Sequence, residues 1–141
     1  MVVKVKKLDP EAVIPIKGTI GSAAADLTAI SDGEWNEEGE FFEYKTGIAI
    51  EMPYGYVGLI FPRSSNTKKN LVLGNSVAVI DSDFRGEITL RYKLLHETEL
   101  YKKGDRIGQI MFVKLPEVDF IESQALAESD RGSGGFGSTG I

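Results

Sequence analysis

At the centre of the sequence lies Gly74-Asn75-Ser76-Val77-Ala78-Val79-Ile80-Asp81-Ser82-Asp83-Phe84-Arg85-Gly86-Glu87. Apolar residues run from Val77 to Ile80, short polar residues follow, and the alternation of apolar and polar residues resumes after Glu87. This pattern predicts a β-hairpin or a two-strand corner. The bend would carry the carboxylates of Asp81 and Asp83.

The residues alone leave two interpretations of Asp81 open. Aspartate and serine hydrogen-bond their own backbone, so Asp81-Ser82-Asp83 forms a good turn without any further function. Alternatively, Asp81 is a general base at the edge of apolar surface, between Ile80 and Phe84, with Asn75 and main-chain groups facing a flat polar ligand.

Size and composition indicate one globular domain. The chain has 141 residues, of which 42% are hydrophobic and 26% charged, and neither fraction is typical of a disordered or fibrous protein. We find no apolar run of membrane-span length and no signal-peptide core near Met1, and therefore expect a soluble, cytoplasmic protein without a membrane partner.

Several kinds of chemistry are excluded by composition. Cysteine is absent, which removes disulfides, thiolate nucleophiles and cysteine-ligated metals, and His96 is the only histidine. The net charge of −5 disfavours nucleic-acid binding, because that binding depends on neutralising phosphates. An anionic ligand would therefore need locally concentrated positive charge.

Short strands separated by Gly, Pro and Asp turns predict an all-β sandwich or barrel. We expect the acidic segment Glu34 to Glu40 to be a solvated loop. The expected strands are 2–6, a strand within 14–29 that carries Asp26 near its end, 41–51, 57–61, 88–93, 106–113 and 118–122.

The segment from Pro62 to Asn70 is the one predicted helix, of one to two turns. Ser64 and Ser65 follow a proline and an arginine, which suits a helix N-terminus. The serines either cap that helix or face an anion there, and the residues alone leave both roles open.

The composition of the chain changes at residues 130–141. Their glycine and serine density is typical of a flexible tail, but the segment also contains Arg131, Phe136, Ser138 and Thr139. Glycine N–H groups can wrap phosphate oxygens, an arginine can fork onto them, and a phenylalanine can stack on a base. We therefore predict a β domain at 1–129 and a lid at 130–141 that closes when a ligand compensates the entropy of ordering.

Five stretches in order resemble the motifs of the trimeric dUTPase family. They are Ala23-Ala24-Ala25-Asp26-Leu27, Pro62-Arg63-Ser64-Ser65, Gly74 to Glu87, Arg106-Ile107-Gly108-Gln109, and Arg131 to Gly140. The resemblance implies a distorted β jelly-roll or barrel, a homotrimer with sites at subunit boundaries, and hydrolysis of dUTP to dUMP and pyrophosphate with Mg²⁺. Such an activity keeps uracil out of DNA and supplies dUMP for dTMP synthesis.

The resemblance also implies a role for each matching residue. Asp81 would deprotonate a water aimed at the α-phosphorus, and Asp26 would face the metal through water. Asn75 and main-chain groups near Val79 and Ile80 would read the uracil. Phe84 would lie against the sugar, Thr89 beside the base, and Phe136 would stack on the base. The phosphates would be held by Arg63, Ser64, Ser65, Gln109, Arg131, Ser138 and Thr139.

The sequence departs from the family pattern at several positions. Ala24, Ser65 and Ala78 stand where glycine is common, Phe84 where tyrosine is common, and Gly108 where alanine is common. Side chains at Ser65 and Ala78 could narrow the phosphate site or alter the bend, and Phe84 lacks a hydroxyl.

Two other functions remain open. A deaminase related to dCTP deaminase would share the fold and release ammonia from dCTP, although the Asp81 segment and the complete tail argue against it. A regulatory protein would keep the nucleotide pocket and signal through a protein partner.

Overall fold

The computed structural model describes residues 1–136 and contains almost only β-structure. Strands β1 to β10 and one short helix follow each other along the chain. Their bounds are β1 Lys4–Lys7, β2 Ala25–Thr28, β3 Glu34–Asn36, β4 Phe41–Lys45, β5 Ile48–Glu51, β6 Tyr56–Phe61, a 3₁₀ helix Ser64–Lys68, β7 Leu71–Leu73, β8 Ala78–Ile80, β9 Thr89–Leu94 and β10 Arg106–Lys114.

Two four-stranded antiparallel sheets form the body of the molecule. Sheet I has the strand order β2-β10-β6-β8, sheet II has the order β3-β4-β9-β7, and β1 pairs with β5 in a separate ribbon. The described strands form jelly-roll-like sheets and do not close into a barrel. The all-β, jelly-roll prediction is thus confirmed. None of the helical segments within residues 1–136 has the length and apolar character needed to cross a membrane.

Three tyrosines form the centre of the core. Tyr44, Tyr92 and Tyr101 lie with ring centroids 5.6 to 6.1 Å apart, mostly edge to face, an arrangement that aromatic quadrupoles favour. The Tyr92 hydroxyl donates to the Ile107 carbonyl at 2.6 Å, and the Tyr101 hydroxyl donates to Asn66 Oδ1 at 2.9 Å. The core therefore fixes both the start of β10 and the short helix.

The central segment forms a corner between the sheets and not a hairpin. β8 pairs with β6 in sheet I, whereas β9 pairs with β4 and β7 in sheet II. Ile88 lies between them, is 1% exposed, and is held from both sides because its carbonyl accepts from the Thr46 hydroxyl and its N–H donates to Ile48. Of the two sequence interpretations, the corner is the one observed.

Other boundaries also differ from expectation. The expected strand 41–51 is divided at Gly47, whose φ of 65° breaks extended geometry, and β7 was not predicted. The acidic segment contains β3, because Trp35 packs on Phe42 with ring centroids 4.9 Å apart while the two strands pair. Residues 118–122 form no strand, since a strand needs a partner edge and none lies beside this segment within residues 1–136.

Candidate active site

Arg63 and Gln109, which the resemblance assigns to the phosphates, lie with Asp26 at one end of sheet I. Asp26 on β2, Gln109 on β10 and Phe61 at the end of β6 stand in one cross-strand row, and Arg63 follows β6 directly. Arg63 Nε donates to Asp26 Oδ1 at 2.8 Å, and Gln109 Nε2 donates to the Pro62 carbonyl at 2.9 Å. The register of three neighbouring strands thus brings the first, second and fourth motifs together.

An open pocket of about 350 Å³ adjoins this row. Its lining contains three cations, two acidic residues and two hydroxyl-bearing residues: Arg63, Lys69, Arg106, Glu99, Asp105, Ser65 and Tyr101. Lys69 is held in place because its ammonium donates to the Glu99 carbonyl at 2.8 Å and lies 4.8 Å from the centroid of the Tyr101 ring. In a chain of net charge −5, the cations of this lining outnumber its acidic residues by one.

The serines do not cap the short helix. Its N-cap residue is Arg63, without a side-chain capping hydrogen bond, and the helix is a single 3₁₀ segment. Ser64 is exposed, and Ser65 Oγ accepts a long hydrogen bond of 3.4 Å from Arg63 Nη1. A helix of this length has only a small dipole, so the charged side chains dominate the electrostatics of the pocket.

A second pocket brings together two residues assigned to the base. Asn75 and Thr89 line it with Phe41 and Arg91, and its volume is about 470 Å³. The Arg91 guanidinium lies over the Phe41 ring at 4.7 Å and donates to Glu43 at 2.7 Å. Neither Phe41 nor Arg91 belongs to a family motif that we recognised in the sequence.

Strand β8 lies at the edge of sheet I. Val79 is 62% exposed and Ile80 is partly buried. An edge strand pairs on one side only, so its outer main-chain N–H and C=O groups stay available to a ligand. This arrangement suits the expectation that main-chain groups near these residues bind a flat polar base.

Asp81 follows β8 with its carboxylate free. The turn is closed by main-chain atoms, because Phe84 N–H donates to the Asp81 carbonyl at 3.2 Å, and by Arg85, which donates to the Ser82 carbonyl at 2.7 Å. Within residues 1–136 the exposed Asp81 carboxylate accepts no hydrogen bond and forms no ion pair. The turn therefore does not require this side chain.

Phe84 folds over the same turn. A Cβ placed on Gly86 would lie 2.5 Å from the Phe84 ring, so glycine is needed there for the ring to lie flat. The ring remains 42% exposed, which leaves a face available to a sugar.

Asp81 and the phosphate row lie at opposite corners of sheet I within one chain. Asp26 is on the edge strand β2, whereas Asp81 follows the other edge strand, where Ile80 pairs with Gly58, three positions before Phe61 on β6. These positions are separated by about 10 Å along the strands and about 14 Å across the sheet. A single chain does not bring the two groups together.

The tail makes only local contacts in the described part of the chain. Arg131 Nε donates to the Gly134 carbonyl at 2.9 Å, and Phe136 is fully exposed. Ser138 and Thr139 lie outside the described residues. The lid therefore stays a prediction.

The Mg²⁺ that the resemblance implies can be tested against the residues present. Within residues 1–136 no three His, Cys, Asp or Glu side chains converge as a metal site. Both oxygens of Asp26 accept from arginines, Arg63 and Arg106, so a cation would meet this carboxylate through water. Mg²⁺ in triphosphate sites keeps several waters and takes few protein ligands besides the phosphates. The residues fit a cation that arrives with the substrate.

The departures from the family pattern cause no backbone strain. Ser65 and Ala78 have negative φ, so neither occupies a conformation that demands glycine. Ala78 is 7% exposed and packs in the core, and Ser65 points to the pocket. Neither position therefore requires a backbone conformation that only glycine adopts readily.

These features define an all-β, jelly-roll protein with a pocket lined by three cations beside the motif residues of sheet I. The sequence profile of the dUTPase family matches residues 10–140. The deoxyuridine 5'-triphosphate nucleotidohydrolase of Corynebacterium diphtheriae is 40% identical over 142 residues, covering 99% of this chain and 93% of the relative. That of Hydrogenobaculum sp. is 40% identical over 139 residues, covering 97% and 96%.

A solved structure of a single-residue mutant of the phage 80alpha dUTPase superposes with a TM-score of 0.80 at 26% identity, covering 97% of this chain and 98% of the other. The chain belongs to the dUTPase family.

Proposed function

We propose that this protein hydrolyses dUTP to dUMP and pyrophosphate by attack of water on the α-phosphorus. Relatives that are about 40% identical over nearly the whole chain are deoxyuridine 5'-triphosphate nucleotidohydrolases. The structural observation that carries the proposal is the free, exposed Asp81 carboxylate beside the open edge of β8.

Asp81 acts as the general base in this proposal. Its carboxylate is exposed and unpaired within the described chain. It orients and deprotonates the attacking water, a contribution that is typically worth about 10²- to 10⁴-fold in rate.

The cation-lined pocket receives the triphosphate. Arg63 and Gln109 are already held in position by Asp26 and the Pro62 carbonyl, which lowers the entropy lost on binding. Ser64, Ser65, Arg131, Ser138 and Thr139 supply further donors. Asp26 would hold Mg²⁺ through water, and the ion would offset the negative charge of the triphosphate.

Base selection follows from hydrogen-bond polarity. Uracil presents an N3–H donor between two carbonyl acceptors, and cytosine reverses this pattern at N3 and C4. Asn75 and the main chain of Val79 and Ile80 would be left unpaired against cytosine, and sites of that kind discriminate by roughly 10⁴- to 10⁵-fold. The Phe84 ring disfavours a ribose 2′-hydroxyl by contact and desolvation.

The proposed functional unit is a homotrimer with sites between subunits. Asp81 and Asp26 occupy opposite corners of sheet I, so a complete site needs groups from more than one chain. Large apolar side chains after β10 are also left exposed in the single chain: Leu115, Val118, Phe120, Ile121 and Leu126. Exposed apolar residues of this number are typical of a surface that a partner covers.

A cytoplasmic location is part of the proposal, because the substrate is a water-soluble nucleotide.

Pyrophosphate release from dUTP, dCTP, dTTP and UTP tests the proposal. We expect rapid release from dUTP and release from the other three that is at least about 10³-fold slower. Ammonia release from dCTP would instead identify a deaminase. Binding of dUTP without turnover would identify a regulatory protein. Either result would overturn the proposed function.

A further inference from the structure

The Asp26 carboxylate is shared between two arginines. Oδ1 accepts from Arg63 Nε at 2.8 Å and Oδ2 accepts from Arg106 Nη1 at 3.2 Å. Arg63 and Asp26 are partly buried, with side chains 25% and 22% exposed, whereas the Arg106 side chain is 60% exposed. One carboxylate thus links the loop after β6 to the start of β10.

An irregularity in β10 places Arg106 on this face of the sheet. Gln109 pairs with Asp26 and Gly108 with Leu27, but the next partner, Thr28, faces Arg106, so Ile107 is an extra residue in the register. A β-bulge of this kind changes the face of the sheet on which a neighbouring side chain lies, and bulges are frequent beside active sites.

Strict alternation of the side chains along β10 would exchange the faces on which Ile107 and Arg106 lie. Without the bulge, Ile107 would face Thr28 on the side of Asp26 and Gln109, and Arg106 would point into the core. With the bulge, Ile107 is 0% exposed in the core and Arg106 reaches Asp26. The Tyr92 hydroxyl holds the bulge by donating to the Ile107 carbonyl at 2.6 Å.

The arrangement determines the charge offered to a phosphate. Asp26 and Arg63 alone would form a neutral pair, and the carboxylate would cancel most of the attraction of Arg63 for an anion. With Arg106 the cluster carries a net positive charge, and each carboxylate oxygen has its own partner.

We infer that Arg106 is a positioning residue for Arg63, acting through the shared carboxylate of Asp26, and that the bulge at Ile107 places it there. This inference rests on the proposed function, in which Arg63 binds a substrate phosphate. Arg106 occupies one carboxylate oxygen and keeps Asp26 from neutralising Arg63.

The test compares Arg106→Ala, Arg106→Lys and the control Lys102→Ala. Lys102 is a nearby exposed cation outside the pocket, so its loss changes the net charge equally. We expect Arg106→Ala to raise the KM for dUTP and the Kd for Mg²⁺-pyrophosphate about tenfold, with a smaller change in kcat. Arg106→Lys should recover part of this loss, because lysine keeps the charge without the fork.

A double-mutant cycle with Asp26→Asn separates positioning from direct contact. If Arg106 acts through Asp26, the tenfold effect of Arg106→Ala on pyrophosphate binding should shrink to about twofold or less in the Asp26→Asn background. An undiminished effect there would show direct phosphate contact and overturn the inference, as would an Arg106→Ala protein that behaves like Lys102→Ala.

The pyrophosphate measurement also separates this inference from the proposed function. A wild-type protein that fails to hydrolyse dUTP, but binds pyrophosphate with the expected dependence on Arg106 and Asp26, would leave the positioning role intact. Hydrolysis of dUTP without that dependence would remove the positioning role alone.

Discussion

At the level of single residues, Asp81 offers the most direct test of the chemistry. Because its carboxylate supports no other contact within residues 1–136, Asp81→Asn should leave folding and dUTP binding nearly unchanged. We expect kcat to fall by about 10²-fold or more, since the amide cannot take a proton from water. Pyrophosphate release and equilibrium binding of a non-hydrolysable analogue measure the two effects separately.

Asp83→Asn is the matched control for that experiment. Asp83 lies in the same turn, is also exposed and lines the same surface pocket as Asp81. The Asp83→Asn substitution therefore removes the same charge from the same surface. Equal losses of turnover in both variants would mean that the turn needs negative charge in general. A comparable loss of binding in Asp81→Asn would make Asp81 a structural residue.

The two buried hydroxyls of Tyr44 and Tyr92 should behave oppositely on removal. Within residues 1–136 the buried Tyr44 hydroxyl has no partner of acceptable hydrogen-bond geometry, whereas that of Tyr92 donates to the Ile107 carbonyl. We expect Tyr44→Phe to be neutral or stabilising, and Tyr92→Phe to lower the free energy of unfolding by about 1 to 3 kcal/mol. Urea denaturation at pH 7 measures both, and equal costs would contradict the assignment.

Alkaline pH should destabilise the folded protein through the buried Tyr44 hydroxyl. Burial raises the pKa of Tyr44 to about 12, against a smaller opposing effect of the Tyr101 main chain. A raised folded-state pKa contributes stability that is complete below the unfolded value near pH 10 and is lost as the pH rises towards 12. The free energy of unfolding should therefore fall over this window, and Tyr44→Phe should make the fall less steep.

At the level of secondary structure, the sequence pattern predicts where the strands lie better than it predicts which strands pair. The strands at 57–61, 88–93 and 106–113 follow from alternation and turn residues, and each is observed within two residues of its expected bounds. Pairing depends on distant segments, so the corner at Ile88 and the edge position of β8 are not determined by local pattern. For the same reason residues 118–122, which have a strand pattern, form no strand in one chain.

The prediction of site residues from the sequence is limited in the same way. Residues in family motifs could be assigned from the sequence, but Lys69, Arg91 and Phe41 enter the pockets through register and packing. Arg106 belongs to a recognised motif, yet strict alternation would place it in the core. Its position depends on a one-residue bulge, for which the sequence gives no local signal.

Gly108 on β10 illustrates how a family departure is compensated. A Cβ there would lie 2.5 Å from Leu90 Cδ2 and 3.2 Å from the Phe61 carbonyl oxygen. Gly108→Ala should therefore lower the free energy of unfolding by about 1 to 2 kcal/mol through overpacking. Combining it with Leu90→Val should cost less than the sum of the two single changes in urea denaturation, because the shorter side chain makes room. Additive costs would show that the clash lies with the Phe61 carbonyl.

The tail is the element whose removal should separate folding from turnover. Within residues 1–136 Arg131 hydrogen-bonds only with Gly134, and most of the surrounding residues are exposed. Deletion of residues 131–141 should therefore change the free energy of unfolding by less than about 0.5 kcal/mol. If the tail is a lid, turnover of dUTP should fall by about 10²-fold or more. Normal hydrolysis by the truncated, folded protein would show that the lid assignment is wrong.

At the level of the whole molecule, we predict that activity requires an assembly, because the groups assigned to the site lie at different corners of sheet I. Asp81 of one chain and Arg63 of the same chain line different surface pockets. Two variants that we expect to be inactive, Asp81→Asn and Arg63→Ala, each retain the group that the other lacks. If a site takes these two groups from different chains, mixed oligomers contain some intact sites.

Co-refolding equal amounts of the two variants measures this directly. Random assembly should place an intact Asp81 opposite an intact Arg63 in about a quarter of the sites, so about a quarter of the wild-type pyrophosphate release should return. If both groups came from one chain, every site would lack one of them and the mixture would stay inactive. Mixing two different preparations of Asp81→Asn controls for refolding itself. An inactive mixture of well-folded mixed oligomers would therefore overturn the shared-site arrangement, even if the wild-type enzyme hydrolyses dUTP.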